Sequence, residues 1–180
     1  MLTLVIVAFL AYCFYAGARR GMAFQAVYTI GYLVSAMVAG VLAGVVRPLL
    51  NLWVPYPSAT INSKFVFFGN DVALKLDTAF YYGISFLFVF AICWALVHLL
   101  ALSVKELEYF DYGDELVNKL AGGVLNLLCG YVFMLFVLFV LALVPINGLQ
   151  NVLGHSEAAV LMVRYTPVLS HFIANWWIAA

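Results

Sequence analysis

The residues Arg19-Arg20-Gly21 separate two of the most apolar runs in this chain, 2–18 and 22–46. An arginine held at the centre of a membrane-spanning helix costs roughly 2.5–3.5 kcal/mol on insertion scales. The chain is therefore expected to surface here, and paired arginines in so short a turn point to the cytoplasmic face. Gly21 supplies the backbone freedom for a tight reversal. The first two runs read as a helical hairpin whose orientation the two arginines set.

That reading requires a membrane, and the composition supplies one. Hydrophobic residues make up 67% of the chain and charged residues 9%, against about 45–50% and about 25% in soluble domains. The fold class expected is an all-α integral membrane protein, with the bilayer as first partner and no separate soluble domain. Eight basic and eight acidic residues cancel, which argues against nucleic acid or a strongly charged partner. Cys13, Cys93 and Cys129 each lie inside an apolar run and read as small packing residues. No metal or cofactor is expected. Ala16-Gly17-Ala18 imitates a signal-peptide cleavage site, yet no basic residue precedes the apolar run and the arginines follow it. That reverses the signal-peptide pattern, so the first run is expected to remain as a helix with its N-terminus outside.

Four spans are predicted, at about 2–18, 22–46, 78–104 and 121–144. The first, about 17 residues, is near the lower limit for crossing hydrocarbon. The second, about 25 residues or about 37 Å as a helix, is long enough to tilt. Gln25, Thr29, Tyr32, Ala36, Gly40 and Gly44 recur on it at steps of three or four, hence on one face. Ala36, Gly40 and Gly44 make a ridge that lets another helix approach; Gln25, Thr29 and Tyr32 make a polar face that suits a pore lining. Pro48 is expected to end this helix at Arg47. The connection 47–77 is aromatic and turn-rich, and is expected to lie along the outer interface or over the helix ends.

Asp77 reads as the N-cap of the third span, whose one ionisable group, His98, is a candidate for proton handling or for neutral hydrogen bonding. Segment 105–120 is amphipathic and acidic, a cytoplasmic surface stretch that suits a protein partner. On the fourth span Gly123, Asn126 and Gly130 share a face, with Asn126 as interhelical hydrogen-bonder. That small face is expected to meet the ridge of the second span. In the tail, 145–180, Ser156-Glu157 reads as a helix start. His171, Phe172, Trp176 and Trp177 suggest an interfacial amphipathic helix on the outer side. With both termini outside, Arg19, Arg20, Lys105 and Lys119 face inward, and Arg47, Lys64, Lys75 and Arg164 outward. The totals tie, and the two short inner loops decide the orientation.

Residues Gly17-Ala18-Arg19-Arg20-Gly21 between two spans, then Asn118-Lys119-Leu120-Ala121-Gly122-Gly123 before a glycine-spaced last span, resemble the colicin V production (CvpA) family. Val54-Pro55-Tyr56-Pro57-Ser58-Ala59-Thr60 and Tyr165-Thr166-Pro167-Val168-Leu169-Ser170 look like the version found in lactobacilli and relatives. The resemblance implies a bacterial inner-membrane protein of four spans, linked to toxin production or export, with no catalytic residues to carry over. Three function classes then compete. A membrane accessory protein fits the packing glycines and the acidic inner segment. Coupled transport is disfavoured because every Asp and Glu lies outside the apolar runs, which leaves a passive oligomeric channel as the alternative. Intramembrane enzymes need a nucleophile–base pair, an HExxH motif or paired aspartates, and none is present.

Overall fold

A computed structural model describes residues 1–57, 65–67, 76–103, 114–166, 169–170, 173 and 176–177. Its elements are helices: α1 (Leu2–Trp53), α2 (Leu76–Ala101), α3 (Glu115–Ala142), α4 (Asn147–Gly154) and α5 (Glu157–Tyr165). The first three are long and apolar enough to cross a membrane. Large apolar side chains such as Leu4, Val41, Leu99 and Leu128 are exposed along them. In a bilayer these face lipid, while each helix satisfies its own backbone polar groups.

α1 is helical on both sides of a single interruption at Gly21 (φ 74°, ψ 169°), a region of backbone space open essentially to glycine alone. The reversal expected at Arg19-Arg20-Gly21 is confined to that glycine, and both arginines sit in the last turn of the first limb. Cys13 of the first limb and Gln25 of the second both bond the same Asn126 side chain on α3. The limbs therefore fold back on one another. Leaving helical geometry at Gly21 releases the amide of Met22, and Asn118 Oδ1 accepts it at 2.7 Å.

Pro48 does not end the second limb; the helix continues through it to Trp53. The missing amide removes one helical hydrogen bond, but continuing keeps the backbone of the next residues internally paired, down to Val54 N donating to Leu50 O at 2.9 Å. α2 starts at Leu76, one residue before Asp77, which lies in the first turn and accepts the Thr78 amide at 2.6 Å. α3 begins at Glu115 with Asp114 as N-cap, so the end of segment 105–120 is already part of the last long helix. The rest of that segment, 105–113, lies outside the described residues, as do 58–64, 68–75, Val104, His171 and Phe172.

The connection after α1 packs over the helix ends. Tyr56 Oη donates to the Leu143 carbonyl at 2.9 Å, and the Val66 amide donates to Gln150 Oε1 at 3.1 Å. Burial, with Asp77 nearby, pushes the Tyr56 hydroxyl up to about 12, which keeps it a donor. Ser156 caps α5 by accepting the Ala159 amide.

The Trp176-Trp177 pair departs from the interfacial placement expected of it. Trp177 is 1% exposed, the largest fully buried side chain described, and packs on Phe86, Phe136 and Phe139. Trp176 lies against Tyr82 and Phe86. Paired tryptophans serve a wet interface when one edge must reach water; here glycines open room for both indoles inside. A Cβ at Gly83 would stand 2.8 Å from Trp177, and one at Gly40 2.5 Å from Trp176.

Candidate functional site

The first limb of α1 and α3 form an antiparallel seam with a four-residue period on each side. Gly21 meets Asn118, Gly17 meets Gly122, and Cys13 meets Asn126 and Gly130. At the crossing a Cβ on Gly17 would collide with the Gly122 carbonyl, and a Cβ on Gly122 would lie 2.6 Å from the Gly17 oxygen. Two backbones touch there, which glycine alone allows.

The predicted meeting of small faces is therefore corrected. The face of α3 that contains Asn126 and Gly130 packs on the first limb, not on Ala36, Gly40 and Gly44. Gly123 stands beside it, and a Cβ there would lie 2.7 Å from the Phe14 ring. Gly40 accommodates the Trp176 ring rather than a helix backbone, and its carbonyl accepts the Tyr82 hydroxyl at 2.8 Å. A Cβ on Gly44 would meet nothing within 4 Å among the described residues. Ala36 is partly buried against the core. The missed partner was Cys13-x-x-x-Gly17-x-x-x-Gly21, a spacing visible in the sequence but obscured because Ala16-Gly17-Ala18 also resembles a cleavage site.

Asn126 joins three segments. Its Nδ2 donates to the Cys13 carbonyl at 2.6 Å, and its Oδ1 accepts Gln25 Nε2 at 3.0 Å. Gln25 Oε1 in turn accepts Arg20 Nη1 at 3.3 Å. Gln25 is 0% exposed, so this network lies in the protein interior, where each satisfied amide fixes a neighbour. Arg19 is exposed, whereas Arg20 is half-buried and turned toward the protein, its guanidinium 4.2 Å from the Tyr28 ring centre. Thr29 Oγ1 donates to the Gln25 carbonyl one turn back. The polar face expected to line a pore is thus divided: Gln25 holds helices together, Thr29 bonds its own helix and accepts Cys129 Sγ at 3.8 Å, and Tyr32 lies elsewhere.

Tyr32 and His98 line a cavity of about 270 Å³ between both limbs of α1, α2 and α3. Phe90, Trp94 and Phe133 form its aromatic wall, and Arg20, Asn126 and His98 bring polar groups to it. His98 Nδ1 is 3.0 Å from the Trp94 carbonyl. A carbonyl only accepts, so Nδ1 carries the proton. The Tyr32 hydroxyl is buried with no hydrogen-bond partner among the described residues, although its ring packs on Phe90 and Trp94. Among the described residues no group of three His, Cys, Asp or Glu side chains is placed to hold a metal ion.

Comparison with known proteins places this architecture. No solved structure matches the chain. An uncharacterized transmembrane protein, YshB of Bacillus subtilis (strain 168), is 27% identical over 179 residues, covering 98% of this chain and 97% of that protein. The family model described as colicin V production protein matches residues 2–167. A match over nearly the whole helical body, together with a full-length transmembrane relative, settles the lineage: this membrane protein belongs to the colicin V production protein family.

Proposed function

We propose that this chain is a non-enzymatic accessory protein of the bacterial plasma membrane that supports production or export of a peptide toxin, or upkeep of the envelope. The family name carries the link to toxin production. The accessory role rests on one observation: the buried amides hold helices to one another. Asn126, Gln25 and Asn118 bond other segments of the same chain, and Asp77, Asp114 and Glu115 sit at helix starts rather than in mid-span. Coupled transport and intramembrane hydrolysis both draw on ionisable groups at depth.

In this reading the two limbs of α1, with α2 and α3, cross the bilayer four times, both termini lie outside, and the acidic segment before α3 faces a cytoplasmic or membrane partner. Photo-crosslinkers in segment 105–120 should trap one stoichiometric protein in the native membrane. Single cysteines at Lys119 and Met1 should label from opposite sides. A homo-oligomer that conducts ions, with no foreign partner, would replace the accessory reading with the channel.

A further inference from the structure

Two features of the cavity beside Tyr32 lack a full counterpart among the described residues. One is the Tyr32 hydroxyl, 5% exposed by residue and without a hydrogen-bond partner among the described residues. An unpaired buried hydroxyl is costly, and native proteins pair nearly all such groups with protein, water or ligand. The other is Arg20, which lines the same cavity and has no carboxylate beside it among the described residues. Gln25 takes one of its five donors and the Tyr28 face lies under the guanidinium. His98, with its Nδ1 proton held by the Trp94 carbonyl, leaves Nε2 as an acceptor for a ligand hydroxyl.

Aromatic rings connect these polar points. Tyr28 packs on both Trp94 and His98, with centroids at 5.9 and 5.0 Å, and Tyr32 packs on Trp94 and Phe90 at 5.8 and 5.0 Å. Tyr32 lies about three turns into the second limb, away from the reversal that holds Arg20, so the cation stands near the turn and the hydroxyl deeper. The exposed Tyr12 is part of the lining on the lipid side. The volume, 270 Å³, equals that of about nine liquid waters, enough for a medium-length chain.

We propose that this cavity binds an anionic single-chain amphiphile, its head on Arg20, its chain between Phe90, Trp94 and Phe133, and an oxygen of its body on the Tyr32 hydroxyl. A free carboxylate amphiphile and one acyl arm of an anionic phospholipid share this chemistry.

The test uses the full-length protein in phosphatidylcholine nanodiscs. 10-Bromodecanoate is titrated against Trp94 fluorescence, with Trp94→Phe as background. Quenching should saturate, and dodecyltrimethylammonium should not displace the probe. 5-Hydroxydecanoate should compete about 3–10-fold more tightly than decanoate, the range one net hydrogen bond gives. That advantage should vanish in Tyr32→Phe, a variant that keeps the ring packing. Arg20→Gln should weaken the probe about tenfold or more; should it fail to fold, the Tyr32→Phe comparison decides alone. Discs containing phosphatidylglycerol separate the sources: loss of quenching assigns the site to resident phospholipid, and unchanged quenching to a free amphiphile. Non-saturating quenching, or equal competition by decanoate and its hydroxylated form in the unaltered protein, overturns the proposal.

Discussion

The half of this helical body at the Arg19-Arg20-Gly21 turn, inner in the proposed orientation, and the opposite, outer half are held by opposite means. Toward the Arg19-Arg20-Gly21 turn, cohesion comes from the near absence of side chains: Gly17 and Gly122 bring two backbones together, and Asn118, Asn126 and Gln25 tie the resulting gap. Toward the other end it comes from ring area, with Trp177 enclosed by Phe86, Phe136 and Phe139. In lipid, burying apolar surface between helices brings little gain over burying it in acyl chains. Close backbone approach and satisfied amides are what the inner half gains from association. The outer half is covered by α5, which packs on α1 and α3, and its rings fill one another's gaps.

The contrast predicts a graded series of stabilities in detergent. The largest loss should come from Gly17→Leu or Gly122→Leu, since each places a side chain on a backbone carbonyl; failure to recover a folded monomer is the expected result. Trp177→Ala should cost about 3–5 kcal/mol, as large aromatic truncations in cores do, read as a melting shift. Were Trp177→Ala silent while the glycine variants fail, the outer half would be a passive cover. Gly21→Ala should cost about 1–3 kcal/mol through backbone strain at positive φ. Asn126→Leu should cost about 1–3 kcal/mol, because Gln25 and the Cys13 carbonyl lose their partner. At the small end, Gly44→Leu should leave melting and oligomer size unchanged while Gly40→Leu lowers stability against Trp176. Equal effects of that pair would restore the helix-packing ridge that the structure reassigns.

What the sequence made legible follows the same division. The turn at Gly21 was readable because arginine is intolerable in hydrocarbon and glycine permits reversal, both local facts. Ser156 as a cap was readable because capping acts over three residues. Partnership between faces was not. Gly40-x-x-x-Gly44 and Cys13-x-x-x-Gly17-x-x-x-Gly21 look alike as spacing, and only the packed bundle distinguishes a glycine that admits a helix from one that admits an indole. The cavity was half visible: His98 and Tyr32 stood out singly as polar residues in apolar runs, but their convergence with Arg20 depends on how three helices cross. Trp176 and Trp177 misled because an indole suits an interface and a core equally, and the choice rests on the distant Gly83 and Gly40.

The bond from the Met22 amide to Asn118 spans 96 residues of chain, and this has a consequence for biosynthesis. A ribosome adding about 5–20 residues per second makes the turn about 5–20 s before it makes the side chain that closes it. Through that interval the nascent hairpin carries an unclaimed amide, a Gln25 Nε2 still without Asn126, and a glycine groove facing lipid or the insertion machinery. The first third of the protein is thus a waiting intermediate, and α3 arrives as the piece that releases it.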